Sequence, residues 1–318
     1  MRLSKGIEGF KIDALSKGYS PLTLAAYVSA LTALVKLMQD PQVEDITESD
    51  LKAWMGYLRN QYKPVRSDNG LLSTASLHRY WKALRSFFRW AHEELGTARP
   101  DLVLQMPKYN HKEVIPFSED DVQKLIKACE LTSPARPANR AAYQTRRPSA
   151  SRDKALVLVL LDTGVRAGEC CRLRVDDVNL STGEVQVRPY RFGKTRPRVV
   201  LIGKTARKLV WRYLQERGDD LSGSAPLFIT DDGREMTRYT IGSLIARLGK
   251  RAGVTDCHPH RFRHTFAIQF LRNGGDVFSL QRLLGHATLE VVKHYLNLAK
   301  ADDESAHRRA SPADNWRL

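Results

Sequence analysis

Three short segments, far apart along the chain, carry residue types suited to phosphoryl chemistry: TGVRAGE at 163–169, HPHRFRHTFA at 258–267 and LLGHATLEVVKHY at 283–295. Arg166 and Arg263 bring planar guanidiniums that stay charged at any relevant pH and offer paired N–H donors to anionic oxygens. A phosphodiester attacked by an oxygen gathers negative charge on its non-bridging oxygens, and two such groups suit holding it. His260, Arg263 and His264 stand at i, i+3 and i+4 and so share one face of a helix. Tyr295, nine residues after His286, supplies a phenol. With an ordinary pKa of about 10 it is a weak nucleophile at neutral pH and needs a base or a strong positive field. His260 is the candidate base and His286 a candidate donor to the phosphate. A zinc reading of His260 and His264 fails on Arg261, which stands where the zincin pattern needs Glu, and on the cationic surroundings. No metal and no cofactor is expected. Glu169 reads as a buttress for a site arginine, or Asp176 or Asp177 takes that place.

The elements that must position these groups follow from periodicity. Ser20 caps a helix with Pro21 at its first position, and Leu24, Tyr27, Val28, Leu31, Leu34, Val35 and Met38 form its apolar stripe. Residues 47–61 repeat the pattern with Leu51, Trp54, Met55 and Leu58 on one face. A third helix is capped by Ser73 or Thr74 and carries Leu77, Trp81, Leu84, Phe88 and Ala91. Its other face bears His78, Lys82, Arg85 and Arg89, a basic stripe suited to lying against phosphates. Residues 106–118 have two prolines and no periodicity, as a linker does. A capping box at Ser118 opens a further helix. Residues 131–152, with three prolines, five arginines and no acid, read as a mobile surface loop or a DNA-contacting one. The apolar run ending at Gly164 is too long for a strand and reads as a buried helix. Between 184 and 202 the period becomes two, as in a β-hairpin with a basic turn. Beyond about 205 the pattern is helical again.

Composition narrows the partners. The 318 residues are 42% hydrophobic and 27% charged, enough to bury a core and against general disorder. The net charge is +16, made of fifteen Lys and Arg against eleven acids in the first 110 residues and thirty-six against twenty-four beyond. Such a field, with Tyr and Trp among the cations, favours nucleic acid over a lipid surface. No apolar run of about 18 residues stands out, so no membrane span is expected. The N-terminus lacks the apolar core of a secretory signal. Cys129, Cys170, Cys171 and Cys257 show no CxxC spacing and read as buried fillers of a reduced, cytoplasmic protein.

The three segments resemble, in order and spacing, the signature boxes of the tyrosine recombinases, the integrase and Xer-type enzymes of DNA strand exchange. TGVRAGE is similar to their arginine box, HRFRHTFA to H-x-x-R-H-[ST]-F-A, and LGHATLEVVKHY to the box ending in the nucleophilic tyrosine. The N-terminal helices are similar to the family's core-binding domain, and FGKTRPRVVLI to its β-hairpin. The resemblance implies that Lys194 is the catalytic lysine, here a general acid for the leaving 5′ oxygen. The longer hairpin turn and the insertion at 131–152 depart from the family's pattern.

The resemblance further implies a mainly α fold: a two-domain clamp with a SAM-like helical core-binding domain at 1–107, a linker at 108–118, and a mixed α+β catalytic domain with a small antiparallel sheet at 119–318. It implies site-specific recombination through a 3′-phosphotyrosyl intermediate and a Holliday junction. The expected partners are double-stranded DNA with inverted-repeat core sites and a homotetramer on two sites, with the tail beyond Tyr295, Trp316 and Leu318 included, packing on a neighbouring subunit. His78, Lys82, Arg85, Arg89, Arg191 and Arg196 are the expected DNA contacts. The competing readings are a type IB topoisomerase-like swivelase, using the same tyrosine and arginines, and a catalytically silent DNA-binding relative.

Overall fold

The computed structural model describes residues 1–63, 70–108, 115–132, 144–189, 197–218 and 223–286, together with 288, 289, 292, 295, 296, 311 and 316. Lys194, Arg191, Arg196 and Leu318 lie outside the described residues. The chain divides into two compact units, Met1–Lys112 and Glu113–Leu318. Both are mainly helical, and one two-stranded sheet is present among the described residues.

Unit 1 holds α1 (Leu3–Ser16), α2 (Pro21–Met38), α3 (Glu48–Asn60) and α4 (Thr74–Leu95). Ser20 caps α2 by accepting from the Thr23 amide, Thr47 and Asp50 form a reciprocal box on α3, and Ser73 caps α4. The first helix escapes the sequence reading, although Leu3, Ile7, Phe10 and Ala14 recur at helical spacing and are buried. Gly6 and Gly9 obscure it, being poor helix formers. Their reason is packing. A Cβ on Gly9 would sit 2.9 Å from Trp90, and one on Gly6 3.3 Å from Phe87, so α1 lies directly on the aromatic face of α4. Phe10, Phe87 and Phe88 are fully buried there, each stabilising by about 1.5–3 kcal/mol.

The expectation that no 18-residue apolar stretch exists needs correction. By length and composition, α2 is long and apolar enough to cross a membrane. Its Leu24, Ala30, Leu31 and Leu34 are buried in the unit 1 core, where it packs on α1 and α4.

Unit 2 holds α5 (Glu119–Ala128), α6 (Ala150–Thr163), α7 (Ala167–Cys170), β1 (Glu184–Val187), β2 (Arg198–Leu201), α8 (Lys204–Arg217), α9 (Arg238–Ala252), α10 (Pro259–Arg272) and α11 (Val277–Leu284). The apolar run read as a buried helix is α6, whose residues 155–160 are all buried, and it packs on α8 and α10. The hairpin strands pair antiparallel with Val185 opposite Val200 and Val187 opposite Arg198. Val185, Val187 and Val200 face the core, which puts Arg198, two residues before Val200, on the same inward face.

The arginine-rich segment 131–152 is only partly a loop. Leu131 pairs with Arg146 in an antiparallel bridge, the Thr132 amide donates to the Thr145 carbonyl, and residues 133–143 lie outside the described residues. Arg147 and Arg152 turn inward on Asp153, at 2.7 and 2.9 Å. Asp153 is fully buried, so these two arginines neutralise it and are not free for phosphates.

Candidate active site

The ends of three helices meet at the site, and glycines let them. α6 ends at Gly164 in the left-handed region, φ 60°, which a Cβ would strain. That Cβ would also lie 2.5 Å from Phe266 of α10, so only glycine permits this approach. Val165 is buried behind it, and Arg166 then caps α7 with its backbone amide donating to the Glu169 carboxylate at 2.9 Å. α11 ends the same way at Gly285, φ 67°, which presents His286.

On α10 the two arginines of HRFRH part company. Arg261 is buried on one face, donates to the carbonyls of Ile115 at 2.9 Å and Thr255 at 2.6 Å, and lies over the Phe117 ring at 4.1 Å. It holds the start of unit 2 to α10. Arg263, on the opposite side, is 2% exposed and donates to the Gly164 carbonyl at 2.7 Å, the Leu284 carbonyl at 2.7 Å and Nε2 of His286 at 2.8 Å. No carboxylate lies within ion-pair distance of Arg263 among the described residues. Burial, then the charge of Arg166, pulls its guanidinium down to about 9, although Glu169 and Tyr295 oppose this.

A guanidinium has no acceptor, so Nε2 of His286 must accept and the imidazole proton sits on Nδ1. That Nδ1 is buried and has no hydrogen-bond partner among the described residues. Burial, followed by the charges of Arg263, Arg166 and Arg198, pushes His286 down to about 4, so the ring is neutral at physiological pH. His260 is exposed at the first turn of α10, and its pKa is lowered by desolvation and by Arg263, His258 and Arg166.

Glu169 is the buried carboxylate of this cluster. Its Oε1 accepts from Arg166 at 3.2 Å, and Arg198 of β2 forks onto both oxygens at 3.2 and 2.8 Å. Burial alone would raise its pKa; the hydrogen bonds and charge of Arg198, with those of Arg166, outweigh this and bring it to about 2. Of the rival acids, Asp177 instead pairs with Arg188 at 2.7 Å.

Tyr295 is 3% exposed, packed in a small cluster with Ala267, Ile268, Leu280, Leu284 and Val292. Its hydroxyl lies 2.8 Å from Nδ1 of His264, in a hydrogen bond. Burial raises the phenol's pKa, and the charges of Arg263 and Arg166 oppose that rise without cancelling it. Two groups of this network were not singled out from sequence: His264 as the partner of Tyr295, and Arg198 as the second partner of Glu169. The signal for Arg198 was available, since an arginine at i−2 from an inward valine of a strand faces the core.

The expected DNA contacts on α4 are not alike. Lys82 and Arg89 are exposed. His78 stacks on Trp81 with ring centroids 5.8 Å apart. Arg85 is held 3.4 Å from the fully buried Asp101, which Arg99 also binds through both oxygens at 2.7 and 2.8 Å. Arg85 therefore belongs to the scaffold of unit 1. Among the described residues no cluster of three or more His, Cys, Asp or Glu side chains is arranged for a metal ion.

Comparison with known proteins agrees over nearly the whole chain. The sequence profile of the phage integrase family matches residues 116–302, and that of the phage integrase N-terminal SAM-like domain matches residues 7–94. The tyrosine recombinase XerD of Oceanobacillus iheyensis is 29% identical over 303 residues, 92% of this chain and 93% of the relative. Among solved structures, a lambda integrase dimer bound to a COC′ core site has TM-score 0.70 at 20% identity, covering 93% of this chain and 95% of that one. A lambda integrase tetramer bound to a Holliday junction has TM-score 0.68 at 19% identity, covering 91% and 79%.

Proposed function

The chain belongs to the phage integrase family and is a site-specific recombinase acting by the tyrosine mechanism, and we propose that Tyr295 is its nucleophile, working on a phosphate held by Arg166, Arg263 and His286. The observation that carries this assignment is Arg263: a guanidinium buried among carbonyls and an imidazole, with no carboxylate partner among the described residues. An unpaired buried cation is costly, and a scissile phosphate is the anion that would relieve it. The Nδ1–H of His286, without a partner among the described residues, supplies a further donor beside it. Glu169 offsets part of the charge of Arg166 and Arg198, which leaves the cluster net positive.

In the proposed reaction the Tyr295 oxygen attacks phosphorus, the bond to the 5′ oxygen breaks, and a 3′-phosphotyrosyl link forms. The bond energy is kept in that link, so the freed 5′ hydroxyl of another strand can reverse the step and rejoin the DNA. His260 takes the phenolic proton and Lys194 gives one to the leaving oxygen. The hydroxyl must leave its packing and its bond to His264 to reach a phosphate. No metal or other cofactor enters the scheme. Inverted-repeat core sites and four subunits on two of them are proposed from the core-site and Holliday-junction complexes of lambda integrase. Lys82 and Arg89 are proposed backbone contacts, with Arg191 and Arg196, which fall between the two strands in sequence, proposed as further ones, and His78 completes the α4 stripe. The proposed setting is the cytoplasm, where such DNA lies.

Arg166→Ala and Arg263→Ala test the assignment in a nicked-duplex cleavage assay. Removing one such donor from a water-poor site costs on the order of 10²–10³-fold in rate. Binding should change little. Loss of binding equal to the loss of cleavage would reduce the arginines to ordinary phosphate contacts.

A further inference from the structure

We propose that Arg198 is a positioning residue that sets Arg166 and His286 in register with each other, by tying Glu169 to the carboxyl end of α11. Its side chain is 7% exposed and makes three directed bonds: Nη1 and Nη2 to the two oxygens of Glu169 at 3.2 and 2.8 Å, and Nε to the Leu283 carbonyl at 2.6 Å. The next carbonyl, Leu284, is held by Arg263. Neighbouring carbonyls at one helix end are thus gripped by two arginines that come from different parts of the chain.

The bonds close a ring. Arg166 binds Glu169, Glu169 binds Arg198, Arg198 and Arg263 bind the end of α11, and Arg263 binds the Gly164 carbonyl two residues before Arg166. Each Glu169 oxygen accepts once from Arg166 and once from Arg198, counting the Arg166 amide, so the carboxylate is held from both sides and cannot rotate to follow one arginine alone. Arg166 is 36% exposed and keeps donors free for an anion, with its orientation fixed from behind. Gly285 is part of the same fit: a Cβ there would lie 3.1 Å from Nη1 of Arg198, so the turn that presents His286 closes directly on this guanidinium. A lysine could keep the charge but not the planar fork onto both Glu169 oxygens together with a separate N–H on the Leu283 carbonyl.

This inference rests on Arg166 holding the scissile phosphate. It is tested with the full-length protein by a double-mutant cycle on the single-turnover cleavage rate at saturating nicked duplex, with the Kd for DNA measured alongside. Arg198→Gln should slow cleavage by about 10-fold or more with Kd changed less than about 2-fold, and Arg198→Lys should recover part of the rate. In an Arg166→Ala background Arg198→Gln should slow cleavage by less than about 3-fold, because one of the two groups it holds in register is gone. A full additive loss in that background, or a Kd that rises with the loss of rate, overturns the proposal. Should Arg198→Gln not fold, Arg198→Lys takes its place in the cycle and the same two outcomes decide. If Arg166→Ala alone leaves cleavage intact, it is the phosphate assignment that fails, and the two failures are distinct.

Discussion

Glu169→Gln removes a buried carboxylate that two arginines share, and its effect can be worked out from the site. The ordinary glutamate value of 4.5 falls to about 2 in the folded protein because Arg198 and Arg166 outweigh burial. At 1.36 kcal/mol per pH decade that difference corresponds to about 3 kcal/mol of stability at pH 7. The magnitude agrees with the about 3–5 kcal/mol lost when one partner of a buried ion pair is removed. A carboxylate whose folded-state pKa lies below its unfolded value contributes fully above about 4.5, and the contribution fades as pH falls toward 2. At pH 3 roughly 1.4 kcal/mol of it survives, so the gap between wild type and Glu169→Gln should narrow by about 2 kcal/mol between pH 7 and pH 3. Hydrogen exchange across a urea series, read in peptides covering α6 and α7, reports this for unit 2 without mixing in unit 1. A gap that stays constant over that range would show that Glu169 is not the ionised partner of Arg198, and the reasoning would fail.

Other expectations follow from the same geometry. Gly9→Ala drives a Cβ into Trp90 and should cost about 1–3 kcal/mol, whereas Gly56→Ala, facing open space in α3, should stabilise by about 0.5–1 kcal/mol; thermal unfolding with equal shifts for the two would refute the close packing of α1. Lys82→Ala and Arg89→Ala should each lower the slope of log K against log salt by about 0.9, while Arg85→Ala should leave the slope alone and lower the unfolding midpoint. With His286 held down at about 4, protonation of this ring falls below the working range, so the pH–rate profiles of wild type and His286→Gln should have the same shape from pH 6 to 8. A limb near 6.5 present only in wild type would contradict the neutral ring.

What was legible in the sequence was whatever is written in local spacing. The three boxes, the caps at Ser20, Ser73 and Ser118, and the valine hairpin all follow from neighbours within a turn or a strand. What stayed hidden depended on contacts between distant segments. The glycines of α1 look like helix breakers until Trp90 and Phe87 are seen against them. Arg85, Arg147 and Arg152 look like phosphate ligands until Asp101 and Asp153 are found buried beneath them. The sharing of Glu169 between Arg166 and Arg198 joins residues 29 positions apart, and no periodicity within either segment announces it. His264, which spacing puts on the same helical face as His260 and Arg263, shows its role as the partner of the phenol only when Tyr295 is seen against α10.

The most direct test of the central claim is to trap the covalent adduct on a nicked duplex carrying the protein's own site, digest it, and locate the nucleotide-bearing peptide by mass spectrometry. The proposed mechanism places the phosphodiester on Tyr295, with Tyr295→Phe binding the duplex and giving no adduct. A nucleotide on any other residue, or an adduct that persists in Tyr295→Phe, would contradict it.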